Sequence, residues 1–349
     1  GRGSLATESP RLRPHVGGDA RGAVGPDLRP PAPSRREGSR VNQTTGERLA
    51  PITYVSLIAA VLFWGSSFAA TKLVLQEFSV QGYMFFRFAA ASLLFLLLLF
   101  SLMRPDAFPT LGNLRNVIEQ VATLAIASAG VGMVMVTGDF DLSVGAVASL
   151  CGVVVAKLIV SGLGVGPAIV LALLLGALIG AVSGLLIAYA GVSPFIGTLA
   201  AMTSYTGLAL FVTSGTTVFG MPEAFRWFGQ GSIGPIPVSV VIMVLVVLIT
   251  WLILDYTTFG QRLYAIGGNR EAAFLAGINT QRARFLAYVY SGVTASVSGI
   301  VLTSRLFSAH PQAGAPFMLN AAAAVFLGMT AFREGQANVF GTLLGVLIM

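Results

Sequence analysis

The chain has 349 residues, of which 55% are hydrophobic and only 10% are charged, and its mean hydropathy is +0.82. Soluble domains carry about 25% charged residues, so this composition excludes one large soluble core, and the single cysteine, Cys151, excludes a disulfide framework within the chain. The net charge of +7 does not indicate a nucleic-acid surface, because nine of the 21 basic residues lie in the first 50 positions. The chain has two histidines and no Cys/His cluster, so we expect neither a metal nor another cofactor.

Residues 1–50 are rich in Gly, Pro and Arg and have almost no apolar periodicity. Such a composition predicts a disordered tail. The stretch also lacks the short apolar core and small-residue cleavage site of a secretory signal. We assign it no function.

The rest of the chain contains a series of apolar windows long enough to cross a bilayer. They lie at 52–75, 80–102, 117–137, 143–160, 166–190, 195–213, 237–257, 285–303 and 319–332, with a last one starting near 338. These windows do not alternate between apolar and polar residues, as strands of a membrane barrel do. The sequence therefore predicts an all-α polytopic membrane protein of about nine or ten transmembrane helices, including broken or half helices.

The distribution of arginines predicts the orientation. The loop 258–284 contains four arginines and one acid, whereas the loop 214–236 contains one arginine. The positive-inside rule places the first loop in the cytoplasm and the second outside. Counting spans backwards then places residues 138–146 towards the cytoplasm and 103–116 outside. Counting forwards from a cytoplasmic tail places 103–116 inside. Either one early segment does not span, or the tail lies outside, or the first hundred residues do not belong with the rest.

Three glycines of one predicted span, Gly176, Gly180 and Gly184, recur every four residues, and Ser291, Ala295 and Gly299 repeat the spacing. Small residues let helices approach closely in lipid, where the hydrophobic effect does not drive their association. The stripe could form a subunit interface, but packing within one subunit is the favoured interpretation.

The cytoplasmic loop contains a predicted short helix. Ala272 and Ala273 tolerate a helix, Asn269 is a candidate N-cap with Glu271 in the first turn, and Gly277 is a candidate C-cap. The spacing alone does not distinguish an ordinary connector from a docking element for a cytosolic partner.

The chain encodes no motor of its own. Neither of its two lysines follows a glycine, so the phosphate-binding pattern GxxxxGK[ST] is absent from the sequence. ATP-driven transport would therefore require a second polypeptide.

Residues 105–349 resemble the permease subunit of bacterial ABC sugar importers of the ribose/xylose/galactose type. The passages that carry the resemblance are GDFDLSVGA (138–146), SPFIGTLAAMTSYTGLAL (193–210), TTFGQRLYAIGGNREAAFLAGI (257–278) and LNAAAAVFLGMTAFREGQANVFGTLLGVL (319–347). The resemblance implies a multi-pass protein of the bacterial inner membrane that is not itself an enzyme. It implies a second permease subunit, a separate ATP-binding subunit that docks on 269–278, and a periplasmic binding protein that delivers a small polar solute.

With this resemblance, the passage 138–146 is interpreted as a helix break near the cytoplasmic end of the translocation pathway, formed by Asp139, Asp141, Ser143 and Gly145. A carboxylate at a helix start accepts hydrogen bonds from free N–H groups and suits the positive end of the dipole. Direct binding of solute by the aspartates is the less favoured alternative.

Two regions depart from this family. Residues 51–100, with WGSSF and the later RFAA, resemble the first two helices of drug/metabolite-type exporters, which suggests a fused N-terminal segment. The family also continues beyond the GTLLG passage, so we expect a C-terminally cut permease. A secondary exporter, or a non-functional truncated or chimeric membrane protein, remains the alternative at this stage.

Overall fold

A computed structural model describes residues 80–331 and 335–349, together with residues 56, 58, 61 and 62. The expected tail, most of the first predicted span and the WGSSF motif lie outside the described residues. The chain divides into two units, residues 1–65 and 66–349, and the fold below is that of the second. The boundary expected near residue 104 stays a prediction.

The second unit is built almost entirely from helices, joined by short turns and one small hairpin. A π-helical segment (Leu185–Tyr189) extends α4, and the hairpin pairs β1 (Ser232–Ile233) with β2 (Ile236–Pro237). The helices are α1 (Val80–Met103), α2 (Leu111–Val136), α3 (Val144–Val160), α4 (Val165–Gly184), α5 (Pro194–Thr213), α6 (Glu223–Gln230), α7 (Val238–Tyr256), α8 (Thr258–Gly268), α9 (Arg270–Leu275), α10 (Thr280–Leu306), α11 (Phe317–Met329) and α12 (Val339–Ile348).

These helices confirm the predicted fold class. Among the described residues, six helices are long and apolar enough to cross a membrane, and three shorter apolar helices, α3, α11 and α12, match the expectation of broken or half spans. Each predicted window from residue 80 onward coincides with one of these nine helices. The predicted span 52–75 falls on residues that are largely outside the description.

Helical structure extends into segments where the sequence predicted loops. Helix α2 starts at Leu111, inside the expected connector 103–116, because Thr110 caps it by accepting a hydrogen bond from the Asn113 N–H. Helix α6 lies within the expected loop 214–236, and helix α8 occupies the first part of the expected cytoplasmic loop, capped by Thr257 in the same way as α2. These segments were missed because a search for long apolar windows does not detect polar or short helical segments.

Helix α10 is the central element of the bundle. Its serines donate hydrogen bonds to backbone carbonyl groups of three other helices: Ser298 to Thr123 of α2, Ser296 to Ala172 of α4 and Ser304 to Phe225 of α6. Small polar residues at helix interfaces hold membrane helices together in this way. Helix α10 therefore fixes the positions of α2, α4 and α6 relative to one another.

The glycine stripe of α4 packs against α10 of the same chain. A Cβ added at Gly176 or Gly180 would overlap backbone carbonyl oxygens of Gly292 and Tyr288, and one at Gly184 would press on Phe285. This close contact agrees with packing within one subunit.

Helix α1 has a different character. Within the described part of the chain, no residue of the apolar window in Gly82–Met103 is buried, whereas 72% of the residues in the corresponding window of α2 are buried. Its side chains, such as Phe95 and Leu98, are therefore free to face lipid or another subunit.

Candidate coupling site at the inner helix break

Residues 137–143 connect α2 to α3 at the end of the molecule that carries α8 and α9, here called the inner end because the arginine distribution predicts it to be cytoplasmic. Gly138 has a φ of +80°, a left-handed conformation that glycine adopts without steric cost, and it lets the chain leave α2 sharply. The break lies inside the protein, where every polar group needs a partner. The following contacts supply those partners.

Asp139 is 1% exposed and pairs with two arginines. Its Oδ2 accepts from Arg284 Nε at 2.6 Å, and its Oδ1 accepts from Arg270 Nη2 at 2.8 Å. The Arg284 side chain is 8% exposed and belongs to α10, whereas the Arg270 side chain is 47% exposed and starts α9. One carboxylate therefore links the break, the central helix and the short helix α9.

Asp141 is buried and accepts hydrogen bonds from the residue that precedes α3 and from α10. Its Oδ1 accepts from both the backbone N–H and the hydroxyl of Ser143, and its Oδ2 accepts from the Ser291 hydroxyl of α10 at 2.6 Å. Asp141 therefore lies just before α3 and bonds to its N-cap residue, Ser143, whereas within the described part of the chain no side chain caps the helix itself. The described partners of Asp139 are the two guanidinium groups, so neither aspartate accepts the hydrogen bond from the first turn of α3 that the sequence predicted.

Two further contacts hold the break against its neighbours. The Tyr288 hydroxyl donates to the carbonyl oxygen of Phe140 at 3.1 Å. Gly267, near the end of α8, lies so close to the carbonyl of Val136 that a Cβ would overlap it. The break, α8, α9 and α10 therefore form one packed group, here called the inner cluster.

Helix α9 is terminated at both ends as the sequence predicted. The Asn269 side chain accepts a hydrogen bond from the Ala272 N–H, which makes it the N-cap. Gly277 has a φ of +82°, its N–H donates to the Phe274 carbonyl, and the Ile278 N–H donates to the Ala273 carbonyl. These two bonds are a Schellman motif, which accounts for the defined end of such a short helix.

The same helix exposes its apolar residues. Ala273 is buried and, with the partly buried Ile278, packs into the main hydrophobic core. Phe274 and Leu275, in contrast, are 65% and 78% exposed, beside the exposed Glu271 and Ala272. Large apolar side chains held outward on a rigid, doubly capped helix are suited to contact another protein.

Sequence reasoning identified the two aspartates and the caps of α9 but missed Arg270, Arg284 and the exposed pair Phe274 and Leu275. The surplus of arginines in 258–284 was the available signal for the first two, and it was used only for orientation. Gly145, which was grouped with the break, instead packs against the backbone of Gly314 in the loop before α11.

A third buried acid, Glu119, lies near the outer end of α2. Glu119 Oε1 accepts from Arg115 Nε at 2.9 Å, and its Oε2 lies 3.8 Å from Arg305 Nε at the end of α10. Gln230 of α6 joins this group through two hydrogen bonds. Its backbone carbonyl accepts from Arg115, and its side-chain amide donates to the backbone carbonyl of Arg305. Helices α2 and α10 are therefore joined by ion pairs near both ends.

Within the described part of the chain, no group of three or more His, Cys, Asp or Glu side chains is placed to hold a metal ion. The polar chemistry of both clusters consists of paired charges and hydrogen bonds to backbone groups. This arrangement positions helices relative to one another.

The chain matches the family described as "Branched-chain amino acid transport system / permease component" over residues 113–349. It is 42% identical over 259 residues to the ribose import permease protein RbsC of Bacillus subtilis, covering 74% of this chain and 80% of the relative. It is 39% identical to RbsC of Escherichia coli strain K12 (74% and 81% covered) and 33% identical to the D-allose transport system permease protein AlsC of the same strain (72% and 77%).

No solved structure matches the chain significantly. The family match covers more than half of the chain and includes the break, the inner cluster and the outer acid. The apolar helices make it a multi-pass protein of the inner membrane, and its relatives are transporter components rather than enzymes. The chain therefore belongs to the family of permease subunits of ATP-binding-cassette (ABC) importers.

Proposed function

We propose that this chain is the permease subunit of an ATP-driven importer for a monosaccharide or a similar small polar solute. The single observation that carries the proposal is the inner cluster, in which a doubly capped helix with exposed apolar residues is tied to a membrane helix break by the ion pair between the half-exposed Arg270 and the buried Asp139. The relatives named for ribose and D-allose favour a sugar over the amino acids in the family's description. The exporter alternative rested on 51–100, which precedes the matched region.

In this proposal, an ATP-binding subunit docks on α9. Phe274 and Leu275 enter an apolar cleft of that subunit, and Asn269, Glu271, Ala272 and Gly277 keep the helix in place around them. Burying an exposed Phe or Leu side chain contributes about 1.5–3 kcal/mol. Two such residues supply a substantial part of the free energy of a specific contact.

Movement of α9 would reach the membrane through Asp139. Arg270 belongs to α9, Arg284 belongs to α10, and both bind the same carboxylate. When the ATP-binding subunit shifts α9, the pair with the better exposed Arg270 can exchange for water, whereas the buried pair with Arg284 is costly to break. A shift of α9 thereby changes the position of the helix break while the rest of the bundle stays folded.

The remaining partners follow from the same proposal. A second copy of this chain supplies the other half of the pathway, and a periplasmic binding protein delivers the solute at the end that carries α6. The exposed side chains of α5, including Phe195, Leu199 and Phe211, leave room for such a neighbour.

The test is capture of a ribose-type ATP-binding subunit from detergent extracts by this chain. The double variant Phe274→Ser and Leu275→Ser is expected to lose capture, because the apolar contact is removed while both caps remain. The matched control is Gln261→Ala, an exposed residue of α8 that lies outside α9. Equal capture by all three chains would reject docking on α9, and no capture by the wild type would reject the importer assignment.

A further inference from the structure

A cavity of about 510 Å³ lies on the side of α3 that faces α5. It is bounded by the first turns of α3, the middle of α5 and the loop 307–316 together with the start of α11. Small-molecule sites span about 300–1,000 Å³, so the space is sufficient for a solute of the size of a sugar. Neither the inner cluster nor the outer ion pairs contribute to it.

The cavity lies level with the middle of α5. Its α5 residues Thr203 and Thr206 are within about one turn of the midpoint of Pro194–Thr213. The loop 307–316 reaches it by re-entering the bundle, where the Gly314 N–H donates to the Ser149 hydroxyl at 2.8 Å. Gly145 and Gly314 make this approach possible, because a Cβ on either would overlap the carbonyl of the other.

The polar groups of the cavity have free hydrogen-bonding capacity. Within the described part of the chain, the Gln312 side-chain amide and the Thr206 hydroxyl make no hydrogen bond. The Thr203 hydroxyl donates to the Leu199 carbonyl and keeps its acceptor sites. Unpaired amide and hydroxyl groups at this depth are costly in lipid and are expected where water or a polar ligand reaches them.

The lining contains no charged side chain; apolar residues such as Met202, Leu210 and Met318 complete it. Amide and hydroxyl groups match the hydroxyls of a sugar, and the apolar part matches its C–H faces. An amino acid would bring an ammonium and a carboxylate, and this wall offers no opposite charge for either. The chemistry of the lining therefore favours an uncharged polyhydroxy solute.

We infer that the cavity around Thr206 and Gln312 is the half-site at which each permease subunit contacts its solute, and that the solute is an uncharged polyol such as a monosaccharide. The inference rests on the proposed import function and names the residues that line its pathway. The first turns of α3 contribute Gly145, Ala146 and Ser149 to the wall, and the Asp141–Ser143 hydrogen bonds lie immediately before this helix.

Introduced cysteines can be labelled without removing the native one, because the only cysteine of the chain, Cys151, is buried. Thr206→Cys and Gln312→Cys are introduced separately, with Leu208→Cys as the control. Leu208 is exposed on α5 but does not line the cavity, and it lies about 200° around the helix from Thr206. Membranes that contain the assembled chain are treated with a charged, water-soluble methanethiosulfonate from both sides.

Residues 206 and 312 are expected to react at least tenfold faster than residue 208, and D-ribose at high millimolar concentration is expected to slow both reactions at least threefold, whereas L-leucine does not. Unreactive cysteines would mean that lipid or a second copy covers the groove and would overturn the inference. Protection by L-leucine, or by neither compound, would overturn it as well. The labelling needs no ATP-binding subunit, so it can be interpreted even if the capture experiment fails.

Discussion

Asp139→Asn is the most informative perturbation of the inner cluster, because it keeps the shape of the side chain and removes the charge that two arginines share. The Arg284 side chain is 8% exposed and would remain buried without its acid, which costs about 3–5 kcal/mol. Arg270 is half exposed and can turn to water, so the loss of its pair adds about 1 kcal/mol or less. The sum places Asp139→Asn at about 3–6 kcal/mol of destabilisation.

The single-residue comparisons separate the two pairs. Arg270→Gln is expected to cost about 1 kcal/mol or less. Arg284→Gln is expected to cost more than Arg270→Gln but less than Asp139→Asn, because Arg270 still neutralises the carboxylate. The double variant Asp139→Asn with Arg284→Gln should be more stable than the sum of the single changes predicts, because neither buried charge is then left alone.

The free energy of unfolding can be followed in mixed micelles by titration with dodecyl sulfate, with modification of Cys151 by a maleimide as the probe. The thiol is buried in α3 and reacts only when the bundle opens. Asp139→Asn within 1 kcal/mol of the wild type, or a double variant whose cost equals the sum of the single variants, would refute the argument that one buried carboxylate links the break to α9 and α10.

Two other substitutions test the backbone contacts. Gly180→Ala on α4 should lower the free energy of unfolding by about 1–3 kcal/mol, because the added Cβ meets the carbonyl of Tyr288. The control is Gly166→Ala on the same helix, whose Cβ meets nothing and which should be neutral or slightly stabilising. Equal effects of the two variants in the same titration would reject the close α4–α10 contact. Gly277→Ala should destabilise the end of α9 by about 1–2 kcal/mol, because alanine is strained at a φ of +82°. Faster proteolysis at α9 and weaker capture of the ATP-binding subunit are expected. Gly268→Ala, where the added Cβ meets open space, is the control, and unchanged behaviour of both variants would contradict the importance of the Schellman motif.

The helices were predictable because lipid imposes a simple rule on sequence. A spanning segment must be apolar over its length and satisfy its own backbone, so windows such as 195–213 and 237–257 match α5 and α7 to within one residue. The caps of α9 were predictable for a similar reason. Asn269 and Gly277 act on backbone groups within four residues of themselves, and such local chemistry is visible in the sequence.

The partners of the acids were not predictable in this way. Asp139 is 131 residues from Arg270 and 145 residues from Arg284, and Glu119 is far from Arg305 along the chain. The sequence indicated that charges in a membrane protein need partners, but it gave no means to choose among the arginines of 258–284. Only the packing of α9 and α10 against α2 and the break decides which guanidinium group reaches which carboxylate.

The same distinction holds for the cavity. The composition and periodicity of this chain determined that it forms a helical membrane bundle, that residues 138–142 separate two apolar windows, and that a capped helix lies in the arginine-rich loop, because each of these depends on interactions between neighbouring residues. The tertiary structure alone decided that the loop 307–316 re-enters beside Gly145 and brings Gln312 opposite Thr206, because these contacts depend on glycine-sized gaps between helices that are distant in sequence.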